Sequence, residues 1–469
     1  MSIDLMEGDG MRATDDWTPG ALASGRPTYV ALADALAGDI ARGRLHPGDR
    51  LPTHRALARE LGVTVGTVAR AYSEAERRGL VGGEVGRGTF VRAAFGLGRS
   101  TGQALDLASL HPPLTGLDTG ELLAATLRDL AADPIALQAV TRTDDSRDSL
   151  AHRAAAAAWL AHGGFAPEAD RVLLTAGAQH AVTAALLALA EGAPVVTTPL
   201  TNPGLIAAAR QLGLPLLEAA TDEDGMLPDS LEAVLGAAPA RVVHLQPTLD
   251  NPTGRTVPAH RREALARVCE REGVWVLEDD PLGPLDPDRP DPVAALLPEQ
   301  TCHVTSASKT LALGLRLGTL VAPEPAHARL ATAIRSSTWL TAPLLGEVFT
   351  RWVNDGTAAA IAAGRRKAIA PRVATAATAL EGLGARTDPA SPHLWLPLPE
   401  HWSVGQFVAA AREEGVLVAP GDDFAAHRGV AAFGVRVGLN AEATDDQLRD
   451  GLLTLVRLLA NGAPTGHPA

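Results

Sequence analysis

From Asp106 to Leu459, short apolar runs alternate with helical patterns, and this alternation restricts the fold more than any other feature of the chain. Six runs have the length of strands: Val172–Leu174, Val195–Thr198, Val242–Leu245, Trp275–Leu277, His303–Thr305 and Leu317–Val321. Helical patterns lie between most of them, at Gln179–Ala190, Asn202–Leu212 and Ala259–Glu272. Strands without polar alternation, joined by helices, predict an α/β domain with a largely parallel sheet covered on both faces. Past Arg335 helices return, and His393–Pro397 with Val435–Val437 predicts a smaller α+β lobe. Aromatic residues are scarce and alanine abundant, so the cores must be built from Ala, Leu and Val.

The first ninety residues follow another pattern. Residues 1–24 are polar, acidic and without periodicity, which predicts a disordered tail. Val30, Leu32, Ala33, Leu36, Ala37 and Ile40 recur at helical spacing. Thr53 can cap a short helix over Arg55–Leu61, closed by Gly62. Thr64 can cap the next, over Val65–Arg78, closed by Gly79. Two capped helices separated by Leu-Gly-Val predict a helix-turn-helix. The Gly-rich alternation of Val81–Val91 predicts a β-hairpin, a candidate wing. The expected organisation is therefore a tail over 1–24, a winged helix-turn-helix over 25–92 and a Gly-rich linker over 93–105. A large domain follows over 106–460, with a short tail over 461–469.

The net charge of −13 is unevenly spread. Residues 25–92 hold eleven arginines against seven acids, a local excess of +4, and nucleic-acid binding depends on the local footprint. Two cysteines, Cys269 and Cys302, have no metal-ligand spacing, which excludes a disulfide scaffold and fits a reducing cytoplasm. No metal site is expected. The first residues are acidic where a signal peptide would be basic, and Ala178–Leu189 is too short to span a membrane.

Basic charge is carried almost wholly by arginine; the only lysines are Lys309 and Lys367. Arginine stays protonated and cannot act as an amine nucleophile. A lysine kept in Ser306-Ala-Ser-Lys309 therefore points to an amine used as an amine, for a Schiff base with a carbonyl.

Two resemblances follow from these motifs. Residues 27–92 resemble the GntR winged helix-turn-helix, through Gly48-Asp-Arg-Leu-Pro52, Arg55-Ala-Leu-Ala, Leu61-Gly-Val, Ala71-Tyr72 and Gly86-Arg-Gly-Thr-Phe-Val91. Residues 106–459 resemble fold-type I aminotransferases, which use pyridoxal 5'-phosphate, and the fusion resembles the MocR subfamily of GntR regulators. The resemblance implies that Lys309 is the Schiff-base lysine and that Asp279 pairs the cofactor's ring N–H. It implies that Asn251, in Asn251-Pro-Thr-Gly254, donates to the ring oxygen. Gly177, Ala178 and Gln179 open a helix after a strand and would hold the phosphate, with Ser306 and Arg316. Arg436 would clamp a substrate or effector carboxylate. Arg55, Thr64, Thr67, Arg70 and Arg87 are the candidate contacts to double-stranded operator DNA. A head-to-tail homodimer is implied as well.

The departures from the pattern are specific. Both tyrosines, Tyr29 and Tyr72, precede the large domain. Asn202 stands where the family usually has a ring-stacking tyrosine, and Leu282 lies in the segment where another usually follows the paired acids. Trp339 and Trp395 are the aromatic candidates to compensate. Three functions stay open: a regulator sensing a small amine or amino acid through the cofactor, a domain that has lost the cofactor and binds ligand non-covalently or dimerises, and a working aminotransferase.

Overall fold

In the computed structural model the described residues are 17–19, 27–41, 44–45, 49–77, 80–84, 88–91, 104–111, 117–141, 150–427, 433–439 and 443–462. They form two compact units, 1–103 and 104–469.

In the first unit, helices Thr28–Ala41, His54–Leu61 and Val65–Arg77 precede a hairpin of Val81–Glu84 with Gly88–Val91. The capping chemistry works as its residue types require. Thr53 accepts from Ala56 N, and Gly62 closes the helix at φ +63°. Leu32, Leu36, Leu57, Val68, Tyr72 and Val91 fill the core. Tyr72 donates its buried hydroxyl to Pro52 O at 2.9 Å, tying the helices to the Leu51–Pro52 turn. Trp17 is an exception to the disorder expected of residues 1–24. It is buried in this core and its Nε1–H donates to Asp39 at 3.0 Å. A single aromatic in a polar stretch creates no periodicity, so the sequence pattern did not reveal it.

The second unit holds a seven-stranded sheet. Its spatial order is Val172–Thr175, Gly318–Val321, Thr301–Ser306, Trp275–Asp279, Val242–Leu245, Val195–Thr197 and Leu216–Glu218. All neighbours run parallel except Gly318–Val321, which is antiparallel on both sides. Strand alternation divides the core: Val242 and Leu277 pack with helices Ala178–Leu189 and Pro203–Leu212, while Val243 and Val276 pack with Ala259–Glu272. The same alternation separates the acids of Glu278-Asp279. Glu278 turns to accept from Val293 N and Ala294 N, at 2.8 and 2.9 Å, and Asp279 turns the other way.

A second sheet orders His393–Pro397, Gly434–Gly438, Val416–Pro420 and Leu105–Leu107. Leu105 pairs with Val416, so the second unit's sheet begins inside the stretch expected as linker, of which residues 93–103 lie outside the described residues. The helix Thr357–Ala379 joins both layers, packing Ile361 against the large sheet's side and Ile369, Val373 and Ala376 into the smaller lobe. The final helix runs to Asn461. Among the described residues no helix is long and apolar enough to cross a membrane, and no group of side chains could hold a metal ion.

Candidate functional site

Ligands of open α/β sheets bind at the carboxyl ends of the strands. Five strands here deliver polar residues to one cavity of about 340 Å³ at those ends. Ala178, Gln179, Asn251, Asp279, Ser306, Lys309, Arg316 and Arg436 all line it. Gly177 caps the helix above it at φ +92°, and a Cβ there would stand 3.2 Å from Arg316 Nη2. Only glycine fits that turn with the guanidinium in place. Gly318 permits the same closeness from below, since its Cβ would lie 2.5 Å from Gly177 C and 2.8 Å from Ala178 N.

Lys309 lies in the helix Ala307–Thr310, capped by Ser306, whose hydroxyl accepts from Ser308 N at 3.0 Å. Its Nζ donates to Leu110 O at 2.7 Å. Burial, then Arg436 and Arg316, pushes its pKa down to about 8. A lysine of this kind is largely neutral just above pH 8, where an exposed one is still protonated. With Lys367→Arg as background, Lys309 is the only lysine amine. Its rate of capture by a small aldehyde plus borohydride, followed on the Lys309 peptide because the α-amine titrates in the same range, should rise with pH and level off above about 8. A rise continuing to the ordinary lysine range of about 10.4 would contradict the buried setting.

Arg316 Nη1 lies 3.4 Å from Ser308 Oγ, so the second serine of the motif touches the arginine while the first serves as cap. Arg436 Nη1 donates to Asn251 Oδ1 at 2.7 Å and Nη2 to Ala108 O at 2.5 Å. Its Nε has no partner, its guanidinium stacks 5.0 Å from the Phe424 ring centre, and burial lowers its pKa to about 10. The Asn251 turn is braced from the smaller lobe: His393 Nε2–H donates to Asp250 O at 2.8 Å. Burial, then Arg436, drives the His393 pKa down to about 3, so this ring stays a neutral brace.

Asp279 is 1% exposed. Its Oδ2 accepts from Asn202 Nδ2 at 3.1 Å and Gln246 Nε2 at 3.0 Å, with His244 Nε2 3.8 Å away. Its Oδ1 has no protein partner. Sequence reasoning missed His244 and Gln246, and met Asn202 only as the place of a missing tyrosine. The available signal was that His244 and Gln246 alternate at the end of a strand neighbouring Asp279. Trp339 and Trp395 do not line the cavity. Trp339 is 69% exposed, and Trp395 packs edge-on to Phe424 against Gly434, whose Cβ would lie 2.4 Å from its ring.

In the first unit Arg55, Thr64 and Arg70 are exposed and Thr67 is half-buried; Arg87 lies outside the described residues. Thr64 Oγ1 accepts from Thr67 N at 3.1 Å and lies 2.9 Å from Thr67 Oγ1, fixing the start of the second helix of the pair.

The cavity thus gathers two guanidinium side chains, one amine, one carboxylate and a glycine turn at a helix start. That donor set suits a ligand with an anionic group, a carbonyl and a ring N–H. Comparison with known proteins agrees with the two units. Residues 28–91 match the family of bacterial regulatory proteins, gntR family, and residues 112–454 match aminotransferase class I and II. The vitamin B6 salvage pathway transcriptional repressor PtsJ of Salmonella typhimurium is 30% identical, over 88% of this chain and 94% of that protein. An uncharacterized HTH-type transcriptional regulator of Bacillus subtilis, YdeF, is 28% identical over 94% of this chain and 96% of its own length. The structure of LysN, an alpha-aminoadipate aminotransferase of Thermus thermophilus complexed with N-(5'-phosphopyridoxyl)-L-leucine, superposes with a TM-score of 0.69. It is 24% identical and covers 76% of this chain and 92% of its own. Head and large domain together make the chain a member of the gntR family of bacterial regulatory proteins, of the MocR type, with an aminotransferase class I and II domain behind its winged helix-turn-helix.

Proposed function

We propose that the chain is a DNA-binding transcriptional regulator whose second unit holds pyridoxal 5'-phosphate at Lys309 and senses a small amine or amino acid. The observation that carries this is the pairing in one cavity of a half-buried amine of lowered pKa with a buried carboxylate that has one unpartnered oxygen. The similarity to a repressor named for vitamin B6 salvage, and the phosphopyridoxyl compound in a protein of the same fold, support the choice of cofactor.

Pyridoxal phosphate would supply an aldehyde and an electron-withdrawing ring. The chain's own residues would do the rest. Lys309 offers a neutral amine, and Asp279 Oδ1 accepts a ring N–H. Asn251 donates to a ring oxygen. The amides of Gly177, Ala178 and Gln179, the Ser306 hydroxyl and the Arg316 guanidinium hold the phosphate. Arg436 binds the effector's carboxylate, exchanging the carbonyl of Ala108 for it. Lys309 likewise gives up the carbonyl of Leu110. Both carbonyls lie just after Leu105–Leu107, the strand nearest the head in sequence, so an effector acts directly on the stretch that leads to the DNA-binding unit.

In the head, Arg55, Arg70 and Arg87 would neutralise phosphates, and Thr64 and Thr67 would set the second helix in the major groove. The functional form would be a head-to-tail homodimer. Ile135 (82%), Leu150 (64%) and Trp339 (69%) are large apolar side chains left exposed on the second unit, surface that a dimer contact would remove from water. The effector must favour one dimer state to change DNA binding.

The test is selection of duplexes from a random-sequence library by full-length protein, then anisotropy titration with and without pyridoxal phosphate and a panel of amino acids. Enriched duplexes whose affinity moves with one amine support the proposal. No enrichment under any condition contradicts it, and multiple-turnover transamination lost in Lys309→Ala would favour an enzyme instead.

A further inference from the structure

Asn202 occupies the turn between the strand Val195–Thr197 and the helix Pro203–Leu212. Both ends of its amide are engaged. Oδ1 accepts from Gly204 N at 3.0 Å, and Nδ2 donates to Asp279 Oδ2 at 3.1 Å. An N–H on one side and a carboxylate on the other fix which end is oxygen and which is nitrogen. The turn is locked from a third direction. Gln179 Nε2 donates to Gly204 O at 2.8 Å, and a Cβ on Gly204 would lie 1.9 Å from Gln179 Oε1. The start of the glycine-turn helix, the start of the next helix and the buried carboxylate are therefore joined through one asparagine.

The Asp279 carboxylate is held unevenly. Asn202 and Gln246 both donate to Oδ2, while Oδ1 is buried without a partner and belongs to a residue lining the cavity. Two amide donors on one oxygen set the rotation of the group and leave the other oxygen as the acceptor. A buried acceptor without a donor is costly, so a ligand N–H delivered there gains more than the same contact at a surface.

We infer that Asn202 is a positioning residue for Asp279: with Gln246 it turns the carboxylate so that Oδ1 meets the ring N–H of the cofactor. This rests on the proposal that pyridoxal phosphate binds in this cavity. Where related proteins place a ring against the cofactor's face, this chain places an amide that works on the carboxylate at the cofactor's edge. The loss of the tyrosine is thereby a change of means, from a stacking contact to a second donor on Asp279.

The alternative role for Asn202 is helix capping alone, and substitutions separate the two. Aspartate and serine cap helices about as well as asparagine. Neither reproduces the amide donor, since the carboxylate has no N–H and the serine hydroxyl is shorter. Full-length Asn202→Ser is therefore expected to melt close to wild type without added cofactor, whereas Asn202→Asp sets a second carboxylate beside the buried Asp279 and is expected to melt lower. Their dissociation constants for pyridoxal phosphate, by equilibrium dialysis, should rise roughly ten- to a hundredfold, as expected for a lost hydrogen bond to a charged group. The visible absorption spectrum of the remaining complex should also change its pH dependence. Gln246→Leu, which leaves the cap untouched, should weaken binding in the same way. If Ser, Asp and Leu variants bind as wild type does and only Asn202→Ala falls, in both melting and binding, Asn202 is a cap and the inference is wrong. If wild type itself retains no pyridoxal phosphate, the cofactor proposal fails and the inference falls with it.

Discussion

Replacing Arg436 with methionine should weaken the response to a carboxylate-bearing effector by roughly a hundredfold or more, read as the concentration giving half the change in DNA affinity. The guanidinium is buried, and each of its outer nitrogens already holds a partner, Asn251 Oδ1 and Ala108 O. It therefore does two things at once: it offers a planar fork to a carboxylate, and it fixes the asparagine beside the cofactor position. Arg436→Lys should fail nearly as badly, because one ammonium cannot reach two divergent acceptors or stack on Phe424. An unchanged effector response in the lysine variant would mean that the carboxylate is bound elsewhere.

Arg262→Ala should destabilise the second unit by about 3–5 kcal/mol, seen as a lower unfolding midpoint in urea. Arg262 is 1% exposed. It donates to Val257 O at 2.9 Å, to Pro247 O at 2.7 Å and to Thr248 Oγ1 at 3.0 Å, with longer bonds to Pro290 O and Asp291 O. Truncation leaves these acceptors buried without donors and opens a cavity the size of the side chain. Burial lowers the guanidinium's pKa while Glu278 and Asp280 oppose the shift, so its charge is balanced at a distance rather than by one contacting carboxylate. Pro247 and Thr248 lead directly into the Asn251 turn, so cofactor retention should drop in the same variant. A loss below about 1 kcal/mol would show that water replaces the arginine without cost.

The parts of this fold that were legible in the sequence are those with local causes. The central strands are apolar on consecutive residues because both faces are covered, and the caps at Thr53 and Gly62 are chemical necessities of short helices. The strands Leu216–Glu218 and Leu105–Leu107 were not legible. Each is three residues long, and Leu105 acquires its partner Val416 only when distant segments meet. The site divides in the same way. Asp279, Ser306 and Lys309 stand at strand ends inside recognisable motifs, and the structure brings them into one cavity. The carbonyls of Ala108 and Leu110 could not be foreseen, because a backbone oxygen carries no residue identity. Asn202 was visible only as a missing tyrosine; its bond to Asp279 joins the turn after one strand to the end of another. Within Ser306-Ala-Ser-Lys309 the two serines divided their work in a way that spacing alone does not specify, one capping the helix and the other lying against Arg316.

The most direct test of the central claim is the visible absorption spectrum of full-length protein incubated with pyridoxal phosphate and then desalted, beside Lys309→Ala. The wild type should keep a protein-bound visible band that the variant loses. A wild type without a band after desalting, or a variant that keeps the same band, would contradict a covalent cofactor site at Lys309.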